Sequence, residues 1–436
     1  MKNIYLLILS GLFFGTLLAQ RPSPAPKQNK SILIFNAVVH NGVGETFTGA
    51  VGFENGKITM VQQGSTISSS AMRYDTLINA EGKHLYPGFI LMNTTLGLRE
   101  VDAVRATRDY SETGEMKPEL RSVIAFNTDS KIIPTVRSNG VLIAQPTPRG
   151  GIVPGHSGLV QLDAWNWEDA TLKMEDGLHI NWPTRTKRSY PWEDEQQRSK
   201  FTAERNRRVN ELQQLFEDAY AYYLQKQPEV FNQKLASMKG LFEGEKNLYV
   251  HANYQYDIID AVDFFKKLHV KKIVIVGGYE ASKILPFLKK NQLPIILQRV
   301  HGLPDNDDDH VYLNYQLPAI LDTAGILFTV DYSGDMEAMG SRNLAFTAGT
   351  CVAHGMNYEN AVKMITYNAA KISGIENRVG SIEVGKDATF FLSKGDALDM
   401  MTQQLTHAFI EGRNIDLSSH QTELYEMYNE KFGIKE

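Results

Sequence analysis

Between residues 248 and 330 the chain repeats one arrangement, a short apolar run followed by a stretch with helical periodicity. The runs are Leu248-Tyr249-Val250-His251, Ile273-Val274-Ile275-Val276, Pro294-Ile295-Ile296-Leu297 and Ile326-Leu327-Phe328-Thr329-Val330, with helical stretches around 256–268, 280–291 and 313–324 between them. A strand that is apolar on both faces needs a layer on each side, and an intervening helix supplies the crossover that parallel pairing requires. Strand spacings of roughly 20 to 30 residues suit an α/β fold of the (β/α)8 TIM-like barrel type, whose functional groups gather at the strand C-termini.

The two ends of the chain read differently. Ile32-Leu33-Ile34-Phe35, the run from Gly49 to Phe53, and Ile58-Thr59-Met60-Val61 after the Asn55-Gly56 turn are short β segments. Similar segments recur at Thr389-Phe390-Phe391-Leu392 and Ala408-Phe409-Ile410. The expectation is a small β-sandwich domain built from residues 31–85 and 379–415, enclosing a barrel over 86–378, with a C-terminal helix over 416–436. Residues 185–245 interrupt the barrel pattern. There Val209, Leu212, Phe216, Ala219 and Tyr223 recur at helical spacing on an otherwise charged segment. They predict an amphipathic helix, either packed over the barrel or serving as a partner-binding arm.

The first residues read as an address. Lys2 precedes residues 4–19, of which twelve of sixteen are apolar, and Arg21-Pro22-Ser23-Pro24-Ala25-Pro26 follows Ala19-Gln20. A short positive region, a short apolar region and a small terminal residue describe a signal peptide over 1–19, followed by a linker over 20–30. Sixteen residues are short for a membrane span of about 20. The mature protein is expected to be exported, periplasmic or secreted, with no membrane segment after cleavage.

Lysine and arginine total 45 against 50 acidic residues, a formal charge of −5, so no basic face argues for a nucleic-acid partner. Cys351 is the one cysteine, which excludes an intrachain disulfide and a cysteine-based zinc ribbon. No Gly-x-Ser-x-Gly elbow exists for a serine hydrolase, and Gly150-Gly151 leads to no Gly-Lys-Ser/Thr ending of a phosphate loop. Asp305-Asn306-Asp307-Asp308-Asp309, flanked by His301 and His310, lacks the glycine and glutamate of an EF-hand and reads as a solvated loop. Trp165, Trp167 and Trp182 read as core and rim packing residues, with a pocket wall as the alternative.

Leu85-Tyr86-Pro87-Gly88-Phe89-Ile90-Leu91-Met92-Asn93-Thr94-Thr95-Leu96-Gly97-Leu98 resembles the first barrel strand of the amidohydrolase superfamily, especially its imidazolonepropionase-like branch. Thr366, Asn368, Ala369, Ala370, Lys371 and Gly374 resemble the helix after its last barrel strand. The stretch Gly380-Ser381-Ile382-Glu383-Val384-Gly385-Lys386-Asp387-Ala388 resembles its return into the small β domain. The resemblance spans about residues 31 to 415 and implies hydrolysis of non-peptide C–N bonds, such as those of cyclic amides, in small molecules. It also implies a divalent metal such as zinc, held by His-x-His on the first strand, histidines on the fifth and sixth, and an aspartate on the eighth. Such an ion lowers the pKa of its bound water to near 7.

This chain departs from that pattern. Leu91, Met92, Asn93, Thr94 and Thr95 stand where Asp-x-His-x-His belongs, and Val276-Gly277-Gly278 holds no sixth-strand histidine. A neutral amide and a hydroxyl bind zinc far more weakly than imidazole does. His251 matches the fifth-strand histidine and is the metal-ligand candidate that survives. Asp331 and Asp335 compete for the eighth-strand place as the catalytic carboxylate. His156, in what reads as a flexible glycine-rich loop, is a remote replacement ligand. Asn93, Thr95 and His251 are expected to line a ligand pocket at the barrel mouth. Two readings follow: a hydrolase of small molecules, or a non-catalytic relative that keeps the pocket for a small polar ligand or a partner, with a homo-oligomer as a further expectation. A metal-free site using Asp331, Asp335, Glu100 or Asp102 as general base is a third.

Overall fold

The structure, a computed structural model, describes residues 24–64, 73–185, 195–225, 228–334 and 336–434. The apolar leader over 1–19 lies outside these residues, as does Asp335. Five strands come first: β1 (Ile32–His40), β2 (Thr46–Glu54), β3 (Lys57–Gln63), β4 (Thr76–Asn79) and β5 (His84–Pro87). Asn55 and Gly56, at φ 51° and 79°, turn β2 into β3 in the tight two-residue hairpin that this dipeptide favours.

Eight further strands build the barrel: β6 (Phe89–Thr94), β7 (Val141–Pro146), β8 (Gly155–Gln161), β9 (Thr171–Asn181), β10 (Asn247–Ala252), β11 (Ile273–Gly277), β12 (Ile295–Leu297) and β13 (Phe328–Val330). They are hydrogen-bonded in this order, and a parallel bridge from Met92 to Asp331 closes the ring between its ends. Seven strands run one way. The third, β8, runs antiparallel to both neighbours. Its reversal carries Gly155, His156 and Ser157 towards the end where β7 and β9 finish.

Two layers of side chains follow from strand alternation. Ile90, Met92, Ile143, Leu159, Tyr249, Val274, Val276 and Ile296 pack with Ala369, Ala370 and Ile372 in one cluster that fills the barrel. Phe89, Leu91, Leu142, Ala144, Leu178, Val250, Ile275 and Phe328 belong instead to the large cluster under the helices. The expected excursion is present as a helix, Glu195–Leu224, that buries Leu212, Phe216 and Ala219. Phe216 meets Phe265 of the helix Gln255–Lys267 with ring centroids 4.9 Å apart.

The last strands, β14 (Phe390–Ser393), β15 (Leu405–Ile410) and β16 (Arg413–Asn414), return to the first sheet. β14 lies antiparallel to β5, Leu392 opposite Leu85, so both chain ends share one mixed eight-stranded sheet. A helix His420–Phe432 follows, opened by a capping box between Ser419 and Thr422.

Candidate functional site

Asn93 has φ 51°, a left-handed conformation that asparagine tolerates better than most residues. Strand alternation alone would group it with Phe89 and Leu91, under the helices. The left-handed turn instead brings its amide to the mouth of the barrel, where it lines a cleft of about 450 Å³. His251, from the end of β10, and Asp331, just after β13, line the same cleft. So do Arg149, Trp182, Asn253, Asp257, Gln298 and Glu337. Thr95 is buried but is not among the lining residues, because β6 ends at Thr94. Glu100 and Asp102 lie outside the cleft as well, Asp102 paired with Arg99.

Two of the carboxylates are held by a small polar web. Asn93 Nδ2 donates to Asp331 Oδ2 at 2.7 Å, and Ser333 Oγ donates to Asp331 Oδ1 at 2.8 Å. Burial pushes the Asp331 carboxyl up to about 6, against the opposing pull of Asn93 and Ser333. Arg149, on the segment joining β7 to β8, donates through Nη1 to Asn93 Oδ1 and through Nη2 to the Asn93 carbonyl, both at 2.9 Å. The same Nη2 reaches Glu337 Oε1 at 3.3 Å.

Behind His251 lies a second web, which the sequence reading missed. His251 Nε2 is 2.9 Å from His179 Nδ1, and His179 Nε2 is 2.8 Å from Ser157 Oγ. Ser157 Oγ donates to Asp176 Oδ1 at 2.6 Å, while Gln145 Nε2 and Tyr249 Oη donate to Asp176 Oδ2, each at 2.6 Å. Asp176 and His179 are fully buried. Burial raises the Asp176 carboxyl above the ordinary carboxylate range despite these donors. Burial also lowers both imidazoles, His251 to about 3 with Arg149 adding to the effect, and His179 well below its ordinary value with His251 beside it. Both histidines are therefore neutral at pH 7. A polar residue every second position in Gly177-Leu178-His179-Ile180-Asn181 was the available signal for an inward-facing polar row.

His156 is in β8 rather than in a loop, and it points away from Ser157 across the strand. It is fully buried and shares no hydrogen bond with His251, so it does not serve as the replacement ligand. His301 pairs with Thr350, and Asp309 accepts from Tyr279, which ties the acidic run to the fold. Trp182 is both a core residue and a wall of the cleft, with its ring 5.7 Å from Phe265.

A divalent ion needs about three protein ligands in a catalytic zinc site. Here His251 Nε2 is engaged with His179, both Asp331 oxygens accept hydrogen bonds, and a guanidinium lies against Asn93. Among the described residues no group of three histidine, cysteine, aspartate or glutamate side chains is placed to hold a metal. The sixth-strand position is closed in another way. Gly277 has φ 109°, a conformation that L side chains rarely adopt, and a Cβ there would stand 2.3 Å from Asn253 Oδ1, so a histidine at this place would be strained and would have to displace the Asn253 amide. The residues present do not fit the superfamily's ion.

The sequence profile of the Amidohydrolase family matches residues 316–416. An amidohydrolase structure from Thermotoga maritima MSB8 superposes with a TM-score of 0.74 at 22% identity, covering 88% of this chain and 99% of that one. The chain therefore has the fold of these amidohydrolases. Molinate hydrolase, another solved structure, superposes at 0.52 with 16% identity over 89% of this chain and 95% of its own. Imidazolonepropionase of Shewanella baltica (strain OS185) is 29% identical over 139 residues, which is 31% of this chain and 28% of that enzyme. That match therefore spans less than a third of the curated relative. Counted round the barrel, β6, β10 and β13 are the first, fifth and eighth strands, so His251 lies near the end of the fifth and Asp331 just after the eighth.

Proposed function

We propose that this chain is an amidohydrolase-type protein whose cleft takes a small polar molecule without the superfamily's metal ion. The observation that carries this reading is Arg149, whose guanidinium spans Asn93 and Glu337 in the cleft that also holds His251 and Asp331. A fixed cation among these groups opposes a second one by direct charge repulsion. Metal analysis of the purified protein after dialysis tests the reading. Substoichiometric zinc, manganese and nickel are expected. Stoichiometric metal that is lost in His251→Ala would overturn it.

A second reading is metal-free hydrolysis of a C–N bond, with Asp331 exchanging the proton. Its support is an acid titrating at about 6 in a cleft, close to the pH at which a general base works best. Turnover of a cyclic amide or N-acyl substrate that survives chelation and disappears in Asp331→Asn would favour it over simple binding. For the finer kinship we take the imidazolonepropionase-like branch, supported by the 29% match and by the first-strand pattern. Cyclic amides are accordingly the first substrates to try.

The apolar leader supports export to the periplasm or medium. N-terminal sequencing that finds Met1 on the exported protein would refute cleavage. Among the described residues no helix is long and apolar enough to cross a membrane.

A further inference from the structure

We infer that Asp176, acting through Ser157 and His179, fixes His251 as the neutral tautomer protonated on Nε2, so that Nδ1 offers a lone pair to whatever enters the cleft. The argument is an inventory of protons along a single file of hydrogen bonds. Asp176 Oδ2 accepts from Gln145 Nε2 and Tyr249 Oη. Neither donor can be turned round. Gln145 Oε1 already accepts the Asn93 backbone N–H at 2.9 Å, and Tyr249 Oη accepts from Asn247 Nδ2 at 3.1 Å.

The other carboxylate oxygen, Oδ1, takes the Ser157 hydroxyl proton. A hydroxyl has one proton to give. Ser157 Oγ must then accept from His179, which places a proton on His179 Nε2. A neutral imidazole has one N–H, so His179 Nδ1 accepts, and the proton in that contact belongs to His251 Nε2. Both His179 nitrogens are engaged and its ring stacks on Tyr249 at 4.7 Å, which fixes its orientation. The remaining nitrogen, His251 Nδ1, finds no hydrogen-bond partner among the described residues, and His251 lines the cleft.

The chain has a polarity, and its source is the carboxylate. In Asp176→Asn the side-chain oxygen must face Gln145 and Tyr249, so the amide nitrogen faces Ser157 and donates to it. Ser157 then donates to His179 Nε2, His179 Nδ1–H donates to His251 Nε2, and His251 presents Nδ1–H to the cleft. The Gly177 carbonyl, 3.5 Å from Ser157 Oγ, is too distant to divert the hydroxyl proton. One buried atom exchanged for its isostere thus turns a hydrogen-bond acceptor in the cleft into a donor. For the ligand the consequence is specific. The group that meets His251 carries an N–H or O–H in the native protein. This consequence rests on the cleft being a binding site; the tautomer itself does not.

The test is a long-range 1H–15N correlation spectrum of the histidine side chains in the full chain, recorded without ligand and assigned with His251→Gln and His179→Gln. The native protein is expected to show His251 protonated on Nε2 and bare on Nδ1, and Asp176→Asn is expected to show the reverse. A native His251 protonated on Nδ1 would overturn the inference, as would an unchanged tautomer in a folded Asp176→Asn. A merely structural aspartate would leave the tautomer alone. Should Asp176→Asn not fold, Ser157→Ala cuts the file at its second member, and both His251 tautomers are then expected; a single unchanged tautomer would again refute the inference. Because no ligand is present, failure of the binding reading leaves this result intact, and the converse holds.

Discussion

Asn93 donates its side-chain amide to Asp331 across 2.7 Å and so joins the first barrel strand to the end of the eighth. The same amide group accepts from Arg149. One neutral side chain therefore separates a buried carboxyl from a guanidinium and satisfies both.

Asn93→Ala is expected to destabilise the fold by about 1–3 kcal/mol, since Asp331 Oδ2 and Arg149 Nη1 each lose a buried partner while Ser333, Glu337 and the residue-93 carbonyl remain, and to strain a left-handed position. Urea unfolding followed by circular dichroism measures this. A loss below about 0.5 kcal/mol, the scale of an ordinary surface substitution, would show that the web does not brace the barrel.

Gly277→Ala is expected to cost about 2 kcal/mol or more, since φ 109° disfavours any side chain and the new methyl meets Asn253 Oδ1 at 2.3 Å. Thermal unfolding reads the loss. A neutral substitution would mean that the sixth-strand place is roomy after all.

Stability is expected to fall as pH drops below about 6.5. His251 and His156 have folded values near 3, and His179 lies well below its ordinary value. The unfolded chain binds their protons first, which removes about 1.4 kcal/mol per pH unit for each histidine within the window from 6.5 down towards 3. Asp331 and Asp176 work in the opposite direction, because carboxyls raised by burial keep a proton that the unfolded chain has released. For Asp331 that opposing window runs from about 6 down to 4. Three groups outweigh two, so the net slope favours neutral pH. A urea midpoint that stays level from about pH 7 to pH 5 would contradict the burial of these imidazoles as neutral species.

Phe216→Ala should cost about 3–5 kcal/mol, a typical large-to-small loss for a fully buried aromatic. It should also free the helix Glu195–Leu224 to early proteolysis. Unaltered protease resistance would place the hold of that helix elsewhere.

The barrel was legible because its signal is local and repeated. Each strand from β10 to β13 is a short apolar run, and apolar character on both faces says how it will be covered. His251 and Asp331 were legible for the same reason, each standing at the end of such a run. The web behind them was not. Ser157, Asp176, His179 and Tyr249 come from three strands, and β8 runs against the expected direction, so no spacing along the chain announces their meeting. Arg149 sits in a connecting segment without periodicity. The left-handed turn at Asn93 breaks the alternation of β6, and Thr95, expected in the pocket beside it, is not among the lining residues.

The pairing of β5 with β14 sets an order of events during synthesis. Leu85 waits for Leu392, so the sheet that begins the fold is among the last parts to be finished. Contacts so distant in sequence make folding slow, because a long loop must close before they form. Until Phe390–Ser393 emerges, His84–Pro87 presents an unpaired strand edge, an open template for another chain. A premature stop anywhere in the barrel would leave that edge bare, and such fragments should aggregate rather than persist as soluble half-proteins.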